Sequence, residues 1–371
     1  MPVDLELRER IGAVVEPQLV RSLGVLGFIG AIDEVNGQLH VELTLPVLDW
    51  PSLATIYREI EQLAPGAKIV TRSMNDAERL ALRHFLRAAM AAEPDDGDHH
   101  HDAEAKPSFM SRSSHTRVLG ISSGKGGVGK STVTVNLAIA LARRGLDVGV
   151  LDADVYGFSL PKMLGAAHDP IILGDTVIPT LAHGVRCLSM GYFVPDEQPV
   201  IWRGPMLHKA IEQLVTEAWW DEPDFLLIDM PPGTGDVALT LSEVLPRIEM
   251  YVVTTPQAAA QRVAQRSAYA ARKLKLAVRG VIENMSWFTG DDGMRYEIFG
   301  SGGGERLSSE LGLPLLAQIP LEPTLREGGD VGEPVTVSAP EGEVGRVFSE
   351  LAARIVAQGP ARVYRQELKL L

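Results

Sequence analysis

The chain has 371 residues, 45% of them hydrophobic and 22% charged, which is ordinary for globular domains and long enough for two of them. Lys and Arg number 35 against 48 Asp and Glu, and the net charge of −13 argues against partners that need clustered cations, namely nucleic acid and anionic membrane. The single cysteine excludes a disulfide within the chain and a metal site built from several thiolates of one chain. No apolar run approaches the ~20 residues of a membrane span and no signal-peptide pattern is present, so a cytoplasmic protein is expected.

Residues 1–92 are predicted to form a small α+β domain. Two strands, 28–32 and 39–45, are joined through Asn36-Gly37, a dipeptide that accepts the positive φ angles of a tight hairpin turn. The other predicted elements are a helix over 53–63 with apolar residues at helical spacing, a third strand at 69–70 and a helix over 76–92.

Residues 93–116 are predicted to be a flexible linker, because acidic residues, Ser and Pro dominate and aliphatic residues are nearly absent. Three histidines, His99 to His101, lie between two aspartates and could bind a transition metal weakly, but a solvated linker is the simpler interpretation. The remaining residues, 117–371, are predicted to form a separate domain.

Short apolar runs alternate with helical segments in residues 117–371. This pattern is typical of a parallel sheet covered by helices on both faces, so the sequence predicts an α/β fold with a doubly wound, mostly parallel sheet. The predicted strands are 118–122, 148–151, 225–228, 251–255, 280–283 and 315–319, and the predicted helices are 130–143, 205–220, 257–274 and 344–356.

The strongest motif follows the first of these strands and opens the next helix. It consists of Gly124, Lys125, Gly126, Gly127, Val128, Gly129, Lys130, Ser131 and Thr132, and it contains the pattern G-x-x-x-x-G-K-[ST] of a phosphate-binding P-loop. Backbone N–H groups and the helix N-terminus would bind nucleotide phosphates. Lys130 would reach the β- and γ-phosphates and the Ser131 hydroxyl would ligate Mg²⁺, so the sequence predicts a site for ATP and Mg²⁺.

Carboxylates follow two other predicted strands. Asp229 ends an apolar strand in the manner of a Walker B motif, which predicts that it holds Mg²⁺ through water, and a Pro- and Gly-rich loop suited to a nucleotide-sensing switch follows it. Asp152 and Asp154 have the i, i+2 spacing that puts two side chains on one face of an extended segment. We expect Asp154 to position the attacking water and Asp152 to support the Mg²⁺ side, although the two roles could be exchanged.

Together these motifs resemble the Mrp/ApbC-type P-loop ATPases, iron-sulfur cluster carrier proteins related to MinD, ParA and the nitrogenase iron protein. The resemblance covers about residues 115–360, and the first ~90 residues resemble the MIP18-like domain that often precedes this ATPase. Lys125 is the second lysine of a deviant Walker A motif. The resemblance therefore implies a homodimer that encloses two ATP molecules, with Lys125 crossing to the partner's phosphates like an arginine finger and Asn284 binding adenine.

Two departures from the family pattern concern cysteines. Members that carry a cluster have one Cys-x-x-Cys pair per subunit, which bridges the cluster across the dimer, whereas Gly290 and Gly293 stand at these positions here. The cysteine often found after the second strand of the N-terminal domain is replaced in the segment around Trp50. The remaining cysteine, Cys187, is expected to be buried in a strand, and residues 291–293 are expected to form a turn.

The resemblance implies an ATP-dependent factor in iron-sulfur cluster assembly or transfer. Its partners would be apoprotein clients or iron-sulfur assembly proteins, and its cluster would be held weakly, by other ligands or by a partner. An ATP-controlled protein–protein switch without a cluster is the alternative. A positioning ATPase of the MinD or ParA kind is a third hypothesis, and it needs a membrane helix or a basic DNA-binding surface. Segment 361–371 carries basic and apolar residues and could be amphipathic, but it is short, and the net charge of −13 weighs against both surfaces.

Overall fold

The computed structural model describes residues 5–91, 107–111, 113–155, 157–193, 204–233 and 236–361. Residues 93–106 of the predicted linker, with its three histidines, and residues 362–371 of the predicted amphipathic segment lie outside the described residues. The end of the predicted linker is described, and its Phe109 is buried. The chain forms two compact units. The N-terminal unit comprises residues 1–108, 170–180 and 217–221, and the C-terminal unit comprises residues 109–169, 181–216 and 222–371. The domain limits predicted from the sequence stay a prediction.

Strands and helices alternate along most of the described chain. The strands are β1 (Val15–Glu16), β2 (Arg21–Ser22), β3 (Ile29–Val35), β4 (Gln38–Leu45), β5 (Lys68–Ser73), β6 (Arg117–Ser123), β7 (Val148–Asp152), β8 (Ile171–Leu173), β9 (Thr176–Ile178), β10 (Thr180–Ala182), β11 (Val185–Ser189), β12 (Phe225–Asp229), β13 (Glu249–Thr254), β14 (Ala277–Glu283), β15 (Phe288–Thr289), β16 (Arg295–Tyr296) and β17 (Leu315–Gln318). The α-helices are α1 (Leu5–Gly12), α2 (Leu53–Leu63), α3 (Asp76–Met90), α4 (Lys130–Ala142), α5 (Leu160–Met163), α6 (Gly204–Thr216), α7 (Asp236–Val244), α8 (Ala258–Lys273), α9 (Gly303–Leu311), α10 (Pro323–Val331), α11 (Val335–Ser338) and α12 (Glu343–Gln358). Within the described ranges, these helices are too short or too polar to cross a lipid bilayer.

The N-terminal unit is built on a three-stranded sheet in the order β3-β4-β5. The predicted hairpin is confirmed, since β3 and β4 are antiparallel and the turn has φ angles of 53° at Asn36 and 77° at Gly37. Helices α2 and α3 pack their apolar faces on this sheet, and the β8–β9 hairpin adds Ile178 to the same buried core. Residues far apart in the sequence therefore build this core.

A buried carboxylate organises one side of that core. Glu16 has no exposed surface and accepts hydrogen bonds from the Leu19 backbone N–H (2.6 Å), from Trp50 Nε1 (2.9 Å) and from the Ser52 hydroxyl. The hydrogen bond from Trp50 thus connects the loop after β4, where the family resemblance leads one to expect a cysteine, to β1. Since a buried carboxylate is tolerated only when it is fully hydrogen-bonded, this network fixes the local structure.

We expect Glu16→Gln to lower the free energy of unfolding of the N-terminal unit by about 2 kcal/mol, because an amide NH₂ would face at least one of the three donors. Urea unfolding followed by tryptophan fluorescence measures this as a lower midpoint. Glu34→Gln is the matched control, because Glu34 is exposed on β3. Equal midpoints for the two variants would contradict the structural role of Glu16.

The C-terminal unit contains an eight-stranded sheet in the order β10-β11-β7-β12-β6-β13-β14-β17. All neighbours from β11 to β17 are parallel. On β13, Val252 packs with α8 and α9 residues while Val253 packs with α4 and α12 residues. Because successive strand residues point to opposite faces, helices cover both sides of the sheet, and the predicted doubly wound, mostly parallel α/β fold is confirmed.

The single cysteine lies in the middle of β11, the second strand from one edge of this sheet. Cys187 is on β11, paired with Val150 of β7, and has no exposed surface. Burial, with a smaller contribution from the nearby Asp152 carboxylate, raises the pKa of its thiol far above the usual range. The prediction that Cys187 is a buried strand residue is confirmed.

Candidate nucleotide site

The P-loop connects the end of β6 to the start of α4, and its glycines serve different purposes. Gly127 and Gly129 have φ angles of 77° and 78°, a region that L side chains rarely adopt. A Cβ at Gly124 would lie 2.2 Å from the backbone nitrogen of Ala264, so this glycine allows the loop to approach α8. A Cβ at Gly126 or Gly127 would meet nothing within 4 Å, so this part of the loop is open to a ligand.

The carboxylate of Asp229, at the end of β12, accepts three hydrogen bonds from side chains at the start of α4. Lys130 Nζ and Ser131 Oγ each lie 2.6 Å from its Oδ2 atom, and Thr134 Oγ1 lies 2.7 Å from its Oδ1 atom. The structure thus brings together three of the residues predicted from the sequence. Thr134 was missed, although its i+4 spacing from Lys130 puts both on one helix face.

The structure gives the two aspartates after β7 different surroundings. Asp152 is fully buried and accepts backbone N–H groups of Asp154 (3.1 Å), Ser159 (2.9 Å) and Leu160 (3.2 Å). Burial, and then the neighbouring Asp229 carboxylate, raise the pKa of Asp152. Asp154 Oδ2 instead lies 3.9 Å from Lys130 Nζ. The geometry therefore makes Asp152 an anchor of the following loop and places Asp154 nearer to the P-loop lysine.

A cavity of about 410 Å³ adjoins the P-loop between β14, α5 and α10. Asn284 lines it and donates from Nδ2 to the Val128 carbonyl at 2.9 Å, while its buried Oδ1 has no hydrogen-bond partner among the residues that the structure describes. A Cβ at Gly129 would lie 2.2 Å from Asn284 Nδ2, so the P-loop glycine is required for this close approach. A buried acceptor without a donor fits a ligand N–H group, as on the amino edge of adenine.

Lys125 is held differently from Lys130. Its half-buried side chain donates from Nζ to Gln257 Oε1 at 3.1 Å. Gln257 precedes α8 and comes shortly after the end of β13, the strand next to β6. The sequence analysis missed Gln257, since only the sheet order brings it to the P-loop.

The positions where the family resemblance leads one to expect Cys-x-x-Cys, Gly290 and Gly293, lie on the β15–β16 hairpin. Gly290 N–H donates to the Met294 carbonyl at 2.9 Å, and the Tyr296 hydroxyl donates to Asp292 Oδ2 at 2.6 Å, so the predicted turn is confirmed. Neither glycine has a ligand atom, and Cys187 is buried elsewhere. Among the residues that the structure describes, no group of three His, Cys, Asp or Glu side chains has a geometry suited to a metal ion. The single buried thiol of the chain therefore does not fit an iron-sulfur cluster.

Comparisons with known proteins agree with this geometry. The model of the ParA family, described as NUBPL iron-transfer P-loop NTPase, matches residues 114–356. The iron-sulfur cluster carrier protein of Mycobacterium bovis is 42% identical over an alignment of 359 residues that covers 93% of this chain and 91% of the relative. The Escherichia coli protein of the same name is 44% identical over an alignment of 345 residues that covers 92% of this chain and 88% of the relative.

Two solved structures are similar to the chain. A nucleotide-binding protein from Archaeoglobus fulgidus, in complex with ADP, is 30% identical with a TM-score of 0.54 and covers 63% of this chain and 93% of its own. The septum site-determining protein MinD from Pyrococcus horikoshii, complexed with Mg-ADP, is 27% identical with a TM-score of 0.52 and covers 67% of this chain and 100% of its own. Both support a nucleotide site of the P-loop type in the C-terminal unit.

Proposed function

This chain belongs to the ParA family of NUBPL-type iron-transfer P-loop NTPases, and from that premise we propose that it is a Mg²⁺-dependent ATPase that works as a homodimer in the assembly of iron-sulfur clusters or their transfer to apoproteins. The observation that carries the proposal is the cluster of Lys130, Ser131 and Asp229 at the P-loop. Apoprotein clients or assembly proteins would be its partners, and the cluster itself would be cargo.

The side chains at the P-loop fit a nucleotide with its bound metal ion. Ser131 and Asp229 supply the hard oxygen atoms that Mg²⁺ prefers, and Lys130 supplies a cation for the phosphates. The metal would neutralise phosphate charge when bound. Since Lys130 Nζ is within hydrogen-bonding distance of Asp229, nucleotide binding would let the ammonium exchange this carboxylate for phosphate oxygens. Asn284 would bind the base through its buried Oδ1, and Asp152 would hold the neighbouring loop in place.

Asp154 is the residue we assign to the attacking water. Its carboxylate lies 3.9 Å from Lys130 Nζ, near the place where the terminal phosphate would be, whereas Asp152 accepts backbone N–H groups of the following loop. A carboxylate there can accept a proton from water and orient it for attack. Lys125 of the partner subunit would then stabilise the charge that develops on the transferred phosphoryl group.

We expect Asp154→Asn to lower kcat for ATP hydrolysis by about 100-fold or more, because an amide cannot accept the proton of the attacking water. ATP affinity should stay equal or rise, since one negative charge near the phosphates is lost. Phosphate release and calorimetric ATP titration measure the two quantities. Asp169→Asn, at an exposed position of the same unit, is the control. Parental turnover by Asp154→Asn would remove Asp154 from this role.

A cluster-free switch is the second candidate function. Gly290 and Gly293 offer no ligand atoms, and the one thiol is buried in the sheet, which favours a protein that binds and releases a partner without holding a cluster itself. In this version ATP-dependent dimerisation would control the partner, and the N-terminal unit would serve as the docking module.

A further inference from the structure

The two lysines of the P-loop have partners of different chemistry. Lys130 is buried, and its Nζ atom lies 2.6 Å from Asp229 Oδ2 and 3.9 Å from Asp154 Oδ2, so it forms ion pairs with both carboxylates. Lys125 is half-buried, and among the described residues it forms a hydrogen bond to the neutral amide of Gln257 and no ion pair. One lysine is thus bound by charge within its own subunit, and the other is bound by a single neutral acceptor.

The fold fixes Gln257 at this place. Gln257 is the N-cap residue of α8, yet its side chain makes no capping hydrogen bond, so its amide is available to Lys125. The backbone of Gly124 also approaches α8 closely, because a Cβ there would lie 2.2 Å from the Ala264 nitrogen. The start of the P-loop therefore lies against the N-terminal half of α8, and the Lys125–Gln257 pair joins the loop to the residue that precedes this helix.

We propose that Gln257 is a positioning residue that keeps the Lys125 ammonium in its own subunit and so sets how readily the homodimer forms around ATP. This inference rests on the proposed function, in which Lys125 reaches the phosphates of the partner. Before it can do so, Lys125 must give up its contact within the subunit. A carboxylate at position 257 would bind the Lys125 ammonium too strongly, and a side chain without an acceptor would leave the ammonium unrestrained. The amide of Gln257 instead forms a hydrogen bond that phosphate oxygens can replace.

The size of the effect follows from the type of bond. A half-exposed hydrogen bond between a side-chain cation and an amide changes an equilibrium by roughly 2–5-fold. Two such bonds break when a symmetric dimer forms, so the effect on the dimer dissociation constant is about 4–25-fold. This is large enough to measure and small enough to leave dimerisation reversible.

The test uses two substitutions of Gln257 with opposite expected signs. Sedimentation of the full chain with a non-hydrolysable ATP analogue and Mg²⁺ gives the dimer dissociation constant. We expect Gln257→Ala to lower it about 4–25-fold, because the acceptor is removed. Gln257→Glu should raise it about 10-fold or more, because a carboxylate binds Lys125 by charge. A glutamate before α8 suits the positive end of the helix dipole, so this variant should fold at least as stably as the parent.

Both substitutions are repeated in a Lys125→Ala background, which separates an effect of Gln257 on the position of Lys125 from a general disturbance of the fold. Because Lys125→Ala alone is expected to stay monomeric, the readout in this background is rescue. If Gln257 acts through Lys125, neither substitution should restore dimerisation. Gln265→Ala, further along α8, is the control that removes another glutamine of this helix. The inference is overturned if both substitutions shift dimerisation in the same direction, if neither shifts it, or if either restores dimerisation without Lys125.

The same experiment distinguishes the failure of this inference from the failure of the proposed function. A parent chain that dimerises with the ATP analogue, and loses this ability in Lys125→Ala, supports the homodimer whatever Gln257 does. A parent chain that stays monomeric with the analogue at all protein concentrations overturns the proposed homodimer and the role of Gln257 with it.

Discussion

Replacing Lys125 with alanine should leave ATP binding within a few-fold of the parent while lowering kcat about 1,000-fold, the size of effect seen when a cation supplied in trans is lost. The reason lies in the contacts of Lys125 in its own subunit. Among the described residues its ammonium group forms one hydrogen bond, to Gln257, and the loss of the side chain leaves the cluster of Lys130, Ser131 and Asp229 intact. The same variant should no longer dimerise with ATP, since the partner's phosphates would lack this cation.

Turnover assays, equilibrium ATP titration and sedimentation measure these three properties on one preparation. Lys273→Ala is the matched control, because Lys273 is an exposed lysine of the same unit. Lys125→Arg should recover part of the turnover, since it restores the charge with a different shape. If Lys125→Ala hydrolysed ATP at the parental rate, the mechanism with a crossing lysine would be wrong.

The parts of the site that the sequence predicted are those with a local signature. The P-loop is a contiguous segment whose glycines, lysine and serine must all lie at the start of one helix, so its position fixed Lys130 and Ser131. Asp229 was predicted because it ends a strongly apolar run, and parallel strands end at one edge of a sheet. The structure confirms the sheet, with Asp229 paired in register with Asp152 of the neighbouring strand.

The parts that the sequence analysis missed depend on contacts between distant segments. The helix predicted over 205–220 ends at Thr216, because Val177 pairs with the segment after it: its N–H donates to the Glu217 carbonyl at 2.9 Å and its carbonyl accepts the Trp219 N–H at 2.7 Å. Local helix preference cannot reveal this pairing. Gln257 was missed for the same kind of reason, since its contact with Lys125 exists only once β13 lies beside β6.

Reconstitution with iron gives the other large expected effect, because it asks whether this chain holds a cluster with its own side chains. After anaerobic incubation with ferrous iron and sulfide and then desalting, we expect the parent to retain no stoichiometric iron, with or without ATP. Gly290 and Gly293 have no ligand atoms, and the Cys187 thiol is buried with a pKa raised by burial, so it is a poor source of thiolate.

Restoring the missing thiols should reverse this result. The double variant Gly290→Cys with Gly293→Cys should retain about four iron ions per dimer and show visible absorption, because four thiolates are the usual ligand set of a [4Fe–4S] cluster. The hairpin should tolerate both changes. A Cβ at Gly290 meets the ring edge of Tyr296 at 2.8 Å on an exposed hairpin, and Gly293 has a φ angle of 75°, where a side chain costs about 1–2 kcal/mol.

The control for this variant replaces the same two glycines with serine, which has nearly the same shape and no thiol. Iron retained by the serine pair would show that the hairpin, and not the thiolates, governs retention. A stoichiometric cluster on the parent that disappears in Cys187→Ser would show that the sheet opens to expose this thiol, and would contradict its structural role. An iron-free parent beside an iron-loaded cysteine pair would mean that the ATPase machinery of the family operates here with cluster ligands supplied by another molecule. The partner that the ATP-bound dimer captures would then be the source of those ligands.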